Sequence, residues 1–65
     1  MGIKEELAEK LATAIKDGDS AKMVAVAKEA FNNELELEDI CDEQSEDFNT
    51  VATAIGNSGW VPGMS

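Results

Sequence analysis

The sequence predicts an all-α fold in which a hairpin of two shorter helices packs against one long helix. Apolar residues recur at helical spacing over residues 3–16 and again over residues 21–31. Between them stands Asp17-Gly18-Asp19-Ser20, a group of residues typical of a helix break. From Leu37 to Ile55 the apolar residues follow a period of 3.5 residues, which is typical of a helix with one apolar stripe.

The first helix is predicted from Ile3, Leu7, Leu11 and Ile15, which recur four residues apart. This spacing places all four side chains on one face of a helix. The intervening residues are mostly alanine, lysine and glutamate, which are strong helix formers. An amphipathic helix over residues 3–16 follows from both signals.

The second helix is predicted to begin after the break and to run over residues 21–31. Gly18 suits the left-handed residue that ends the first helix, and Asp19 or Ser20 can cap the next one. Val24, Ala27 and Phe31 then form an apolar face, with Met23 as a core filler. An aspartate-rich loop of this kind can bind calcium, but the ligand spacing of an EF-hand would place Lys28 at its bidentate glutamate, so we expect no calcium site.

The long helix is predicted over residues 33–56. Its stripe is formed by Leu37, Cys41, Gln44, Phe48, Val51 and Ile55. Asn33 is a suitable N-cap residue, and Glu36 three positions later completes a capping box. Gly56 suits the left-handed position after the last turn.

Three features of this segment allow other interpretations. Ser45 can cap a separate, shorter helix over residues 46–55, and the alternation of Glu and Leu over residues 34–38 is compatible with a short strand. Gln44 is either a long side chain at the edge of the stripe or a polar residue that fixes the register of a self-associating seam.

One core is expected to unite the three helices. Its members are predicted to be Leu7, Leu11, Ile15, Val24, Ala27, Phe31, Phe48, Val51 and Ile55. Residues 1–56 then form a helical domain and residues 57–65 a flexible tail or linker, because three Gly or Pro residues interrupt the last nine. Trp60 in this tail folds back over the helix ends, anchors a partner, or stays mobile.

The charge is distributed unevenly along the 65 residues. All five lysines precede residue 29 and are balanced there by five acidic residues, whereas the other nine acidic residues follow and carry the net charge of −9. Nucleic acid and anionic membranes are poor partners for such a chain. The acidic half is either a solvated face, a surface complementary to a basic protein, or a surface whose repulsion limits close self-packing.

The composition also restricts chemistry. The chain has no histidine and a single cysteine, Cys41, so we expect no disulfide, metal site, cofactor or catalytic group, and no enzymatic activity. On an apolar stripe Cys41 is expected to be a small buried hydrophobe; the alternative is a reactive thiol. No signal peptide or membrane-spanning run is visible, so we expect a cytoplasmic location. A chain of this length buries a small core and usually needs a partner or self-association.

Residues 7–31, LAEKLATAIKDGDSAKMVAVAKEAF, resemble the N-terminal helical segment of some tailed-phage major capsid proteins. In that family a lysine- and glutamate-rich helix, a Gly-Asp break and a second alanine-rich helix precede the shell domain. The resemblance implies an internal scaffold that associates between subunits during capsid assembly, and a virion-associated location.

A second resemblance is to the helical cap that precedes the cobalamin-binding domain of corrinoid methyl-transfer proteins. It is carried by Ala14-Ile15-Lys16-Asp17-Gly18-Asp19, then Val24, Ala27-Lys28-Glu29-Ala30, Ile40 and Val61-Pro62-Gly63-Met64. It implies a cap that acts beside a cofactor domain. This chain has no axial-ligand histidine and so would not hold the cofactor alone.

We therefore expect a non-enzymatic helical interaction module, most specifically one that self-associates in capsid scaffolding and forms homo-oligomers. A corrinoid-domain cap and an acidic inhibitor of a basic protein are the alternatives. The expected interaction residues are Leu37, Gln44, Phe48, Val51, Ile55 and Trp60.

Overall fold

The computed structural model describes residues 2–61, which form four helices and no strand. The helices are α1 (Ile3–Asp17), α2 (Ser20–Asn32), α3 (Leu37–Ile40) and α4 (Glu46–Ser58). The all-α prediction is confirmed, and the strand interpretation of residues 34–38 is wrong. α2 lies at the centre and packs against α1 and α4, while α3 closes one side against α1 and α2.

The predicted hairpin is confirmed together with its end signals. Gly18 ends α1 in the left-handed conformation (φ 66°), where a side chain would be strained. Its N–H and that of Asp19 donate to the carbonyls of Ile15 and Ala14, which have no partner inside the helix. The Asp19 side chain then caps α2 by accepting a hydrogen bond from the Lys22 N–H (3.1 Å).

The continuous helix over residues 33–56 is wrong. Asn33 ends α2 instead of beginning a helix, and Glu34 turns the chain with a φ of 61°. The N-cap of the following α3 is Glu36: its carboxylate accepts from the Asp39 N–H, and the Asp39 carboxylate accepts from the Glu36 N–H (2.8 Å). This capping box fixes a new helix start three residues later than predicted.

A second break separates α3 from α4. The Asp42 carboxylate accepts a hydrogen bond from the Gln44 N–H (3.0 Å), and the Asp42 carbonyl accepts one from the Ser45 hydroxyl (2.6 Å). These local bonds satisfy backbone groups that a continuous helix would have used. Ser45 caps α4 by accepting from the Phe48 N–H (3.3 Å), which confirms the alternative of a separate helix starting at Glu46.

α4 also ends later than predicted. Gly56 lies inside the helix, and the left-handed residue after its last turn is Gly59 (φ 82°). The helix therefore extends two residues past the expected domain boundary at residue 56. Residues 62–65 of the predicted tail, and Met1, lie outside the described residues.

The core is formed mainly by α1, α2 and α4, and α3 contributes Ile40. Its buried apolar members are Leu7, Leu11, Ala14, Met23, Val24, Val26, Ala27, Ala30, Ile40, Val51 and Ala54. Of the nine predicted core residues, five are buried, and Ile15 and Ile55 are partly buried against the core. The prediction is wrong for Phe31, which is 43% exposed, and Phe48 is only partly buried.

Candidate protein-interaction cleft

An apolar cleft of about 140 Å³ lies between α2, the α2–α3 connection and the end of α4. We call it the aromatic cleft; its lining residues are Ala27, Phe31, Leu35, Glu36, Leu37, Ile55 and Trp60. Its volume is below the ~300–1,000 Å³ of pockets that enclose small-molecule ligands. A cleft of this size and lining suits inserted side chains of a protein better than a cofactor.

Trp60 forms one wall of the aromatic cleft. Its indole meets the Phe31 ring edge-on, with ring centroids 6.4 Å apart and planes at 79°, and the Lys28 ammonium lies 5.8 Å from the indole centroid. The first geometry is a favourable edge-to-face aromatic contact, and the second is within the range of a cation–π interaction. The indole is partly buried against the core, in agreement with the interpretation in which Trp60 folds back over the helix ends.

The end of α4 fixes the position of Trp60. The Ser58 hydroxyl donates to the Ile55 carbonyl (2.7 Å) and accepts from the Trp60 N–H (3.1 Å). Gly59 supplies the left-handed conformation that turns the chain back between these two groups. Trp60 is therefore held by the helix cap as well as by its ring contacts.

Phe31 forms the adjoining aromatic wall and remains 43% exposed. It is among the most exposed large apolar residues of the part of the chain that the structure describes, together with Ile3 and Val61. A neighbouring aromatic pair that stays accessible at the rim of a cleft is typical of a binding surface, where Trp and other aromatic residues contribute much of the affinity.

The rim of the aromatic cleft continues into an acidic edge formed by Glu36, Glu38 and Glu43. A hydrogen bond to the Glu36 side chain, followed by the negative charges of Glu36 and Glu43, raises the pKa of the Glu38 carboxyl above its ordinary value. Within residues 2–61 the one lysine–carboxylate ion pair joins Lys10 to Glu29 (3.6 Å) on the α1–α2 hairpin. The acidic edge therefore has no internal counter-ion there.

The predicted interaction residues do not form a single stripe. Leu37, Ile55 and Trp60 meet in the aromatic cleft. Val51 is fully buried in the core, Gln44 is exposed in the turn between α3 and α4, and Phe48 lies partly buried outside the core cluster. The predicted seam is therefore absent, because the helix that carried it is broken at Cys41–Ser45.

Four cleft residues, Ala27, Phe31, Leu35 and Glu36, were missed as candidates for interaction. Phe31 was assigned to the core, and Leu35 lay in the segment expected to begin the long helix. The signal that could have marked Phe31 is its position at the end of a helix, directly before Asn32-Asn33. Its exposure depends on where α4 packs, which the local sequence does not specify.

Cys41 lies apart from the aromatic cleft, beside a second cavity of about 250 Å³ that Ile15, Ile40 and Ser45 also line. Burial raises the pKa of its thiol, a hydrogen bond to Ser45 opposes this, and the charges of Asp47 and Asp42 add to the rise. The thiolate, which is the reactive form, is therefore disfavoured. Cys41 is partly buried, and so less enclosed than the small buried hydrophobe that the sequence predicted.

Comparisons with protein-family models, with curated proteins and with solved structures gave no match for this chain. Among the described residues, no group of three His, Cys, Asp or Glu side chains is arranged to hold a metal ion. None of the four described helices combines the length and the apolarity needed to cross a bilayer.

Proposed function

We propose that this chain is a non-enzymatic helical module that binds a partner protein through the aromatic cleft. The observation that carries the proposal is the accessible pair of Phe31 and Trp60 above an apolar floor. Three of the six residues expected to mediate interaction, Leu37, Ile55 and Trp60, line the same cleft. Docking a partner there would cover Phe31, whose exposed ring area now faces water.

A photo-crosslinking amino acid at Phe31 tests this proposal in cells that produce the protein. The matched control is the same amino acid at Ala25, which is exposed on the same helix and lies outside the aromatic cleft. A discrete adduct is expected at residue 31 and not at residue 25. The purified partner should then bind the wild type and bind Phe31→Ser weakly. Equal labelling at both positions, or no loss of binding in Phe31→Ser, would contradict the proposal.

The more specific proposal is a role in assembly of the phage-capsid type. The segment that carries this resemblance, residues 7–31, forms most of the α1–α2 hairpin. Residues 7–31 are neutral, with four lysines and four acidic residues, whereas the rest of the chain carries the whole charge of −9. Like charges repel, so copies of the chain would associate through their hairpins and keep their acidic halves apart.

Sedimentation equilibrium over a wide concentration range tests the assembly role. Reversible association is expected, and added salt should strengthen it because salt screens the repulsion between acidic halves. Lys22→Glu, which adds negative charge to the hairpin, should weaken association more than Asp47→Glu, a control that keeps the charge of the acidic half. A strict monomer under all conditions would remove the self-assembly role and leave partner binding at the aromatic cleft untouched.

A second candidate is the cap of a corrinoid-binding domain. It is favoured by the burial of Ala14, Val24, Ala27, Ala30 and Ile40, all of which carry that resemblance and all of which lie in one core. The test is titration with a cobalamin-loaded corrinoid domain while backbone amide resonances are followed. An absence of shifts at high concentration would exclude this candidate.

A further inference from the structure

We infer that the occupant of the aromatic cleft is a basic amphipathic segment of the partner protein. Its apolar residue would pack against the contacting rings of Phe31 and Trp60, and its cations would face the acidic edge of Glu36, Glu38 and Glu43. The inference rests on the proposed function, since it names the chemistry of the partner bound at that same cleft.

Charge complementarity is the first argument. Residues 33–47 contain eight acidic residues and no lysine, and this run supplies Leu35, Glu36 and Leu37 to the cleft lining. The same few residues thus combine apolar contact with uncompensated negative charge. A segment that offers both apolar and cationic side chains would satisfy both halves of this surface.

The position of the nearby lysine strengthens the charge argument. Lys28 lies over the Trp60 ring, 5.8 Å from its centroid. It is not within ion-pair distance of Glu36, Glu38 or Glu43. A hydrogen bond to Glu36, followed by the charges of Glu36 and Glu43, raises the pKa of Glu38, so the three carboxyl groups lie close together. Cations of the partner would relieve the repulsion between their charges.

The same charges disfavour a second copy of the chain as the occupant. Two copies meeting at their aromatic clefts would bring two acidic edges together, each part of a chain with a net charge of −9. Like charges facing each other across an interface are unfavourable. The neutral segment 7–31 of another copy could approach the cleft, but its four lysines are matched by four acidic residues.

Peptide probes test the inference with the intact protein. Two peptides of about 16 residues would share leucines at helical spacing. They would differ only at the remaining positions, which are all Lys in one peptide and all Glu in the other. Neither contains Trp, so the fluorescence of Trp60, the single Trp of the chain, reports on the cleft. The basic peptide should bind and the acidic one should not. Raising the salt concentration from about 50 to about 500 mM should weaken binding about tenfold or more.

Charge variants localise the effect. Glu38→Gln with Glu43→Gln should weaken binding of the basic peptide several-fold and reduce its salt dependence. The matched control is Glu5→Gln with Glu9→Gln, which changes the net charge equally on the exposed face of α1. Phe31→Ser, at a residue already partly exposed, should reduce binding about tenfold while far-UV circular dichroism shows the fold intact.

Each alternative outcome is distinct. Equal binding of the acidic and basic peptides, or equal weakening by the two double variants, overturns the inference. A crosslinked partner that contacts residue 31 through an acidic or neutral segment, or a second copy captured there, overturns the inference while the proposed function stands. Basic peptides that bind without any loss in Phe31→Ser place the charge effect outside the cleft and also overturn it.

Discussion

The substitution Val51→Ala tests whether Val51 packs in the core of its own chain or in a seam between two chains. Val51 is 0% exposed and lies in the core formed mainly by α1, α2 and α4. The substitution removes two buried methyl groups, each worth about 0.8 kcal/mol in transfer from water, and leaves a cavity that adds to the loss. We expect the free energy of unfolding to fall by about 2–3 kcal/mol.

That loss is large for this chain. Domains of this length have total stabilities of roughly 3–10 kcal/mol, so a melting temperature decrease of roughly 10–20 °C is expected. Urea unfolding followed by far-UV circular dichroism measures it, at two protein concentrations that differ about a hundredfold. The matched control is Val61→Ala, the same chemical change at a residue 51% exposed, which should alter stability by less than about 0.5 kcal/mol.

Measuring the loss of stability at two protein concentrations shows whether Val51 packs in its own chain or between chains. If Val51 packs inside its own chain, the loss in Val51→Ala is the same at both concentrations. If Val51 belonged to an intermolecular seam, the loss would appear as weaker association and would depend on concentration. A loss no larger than that of Val61→Ala would refute the core assignment.

Four further substitutions test the helix ends and the acidic edge. Gly56→Ala should stabilise α4 by about 0.5–1 kcal/mol, because Gly56 is solvent-exposed and lies within the helix. Gly59→Ala should destabilise the protein by about 1 kcal/mol, because the φ of Gly59 is 82°. Urea unfolding measures both changes, and effects of the same sign would contradict a helix end at Gly59. Ser45→Ala should cost about 1 kcal/mol in the same assay through loss of the α4 cap, and no loss would contradict that cap. The raised pKa of Glu38 means that its contribution to stability is present below its ordinary value of 4.5 and is lost as the pH rises through the folded-state pKa. Glu38→Gln should therefore make the urea midpoint of unfolding decrease less as the pH rises from 4.5 through the folded-state pKa. An unchanged dependence of the midpoint on pH would contradict this prediction.

The hairpin was predictable because its signals are local. Ile3, Leu7 and Leu11 specify one face of α1 through spacing alone, and Gly18 with Asp19 provides both the end of one helix and the cap of the next. Each of these signals acts within about four residues, the range over which helical hydrogen bonds and caps operate. No knowledge of distant contacts is needed to interpret them.

The second half was not predictable in the same way, because two sets of signals compete there. The 3.5-residue period from Leu37 to Ile55 favours one helix, whereas Glu36, Asp42 and Ser45 all offer side-chain oxygens that stabilise helix starts or turns. Burial decides between them. With the chain broken, Ile40 and Val51 both enter one core, which a straight stripe facing an outside partner would not achieve.

The composition of the aromatic cleft depends on contacts between distant parts of the chain. Phe31 and Trp60 are 29 positions apart and meet because Glu34 and Gly59 both adopt left-handed conformations that turn the chain. Gly59 is recognisable as a turn residue, but a glutamate at positive φ is uncommon and gives no signal in the sequence. The sequence alone identified Leu37, Ile55 and Trp60 as apolar candidates for interaction. It did not indicate that they meet in one cleft.

The break in the second half also changes the kind of binding that the chain can support. A continuous stripe would need a long partner helix along its whole length, and association through it would bury a large apolar area. The observed chain covers Val51 itself and leaves a small apolar cleft beside uncompensated carboxylates. Small interfaces with strong charge complementarity associate quickly and depend steeply on salt, and their affinity resides in a few anchoring residues. Binding at the aromatic cleft should therefore be rapid, reversible and sensitive to ionic strength, with Phe31 and Trp60 contributing most of the affinity.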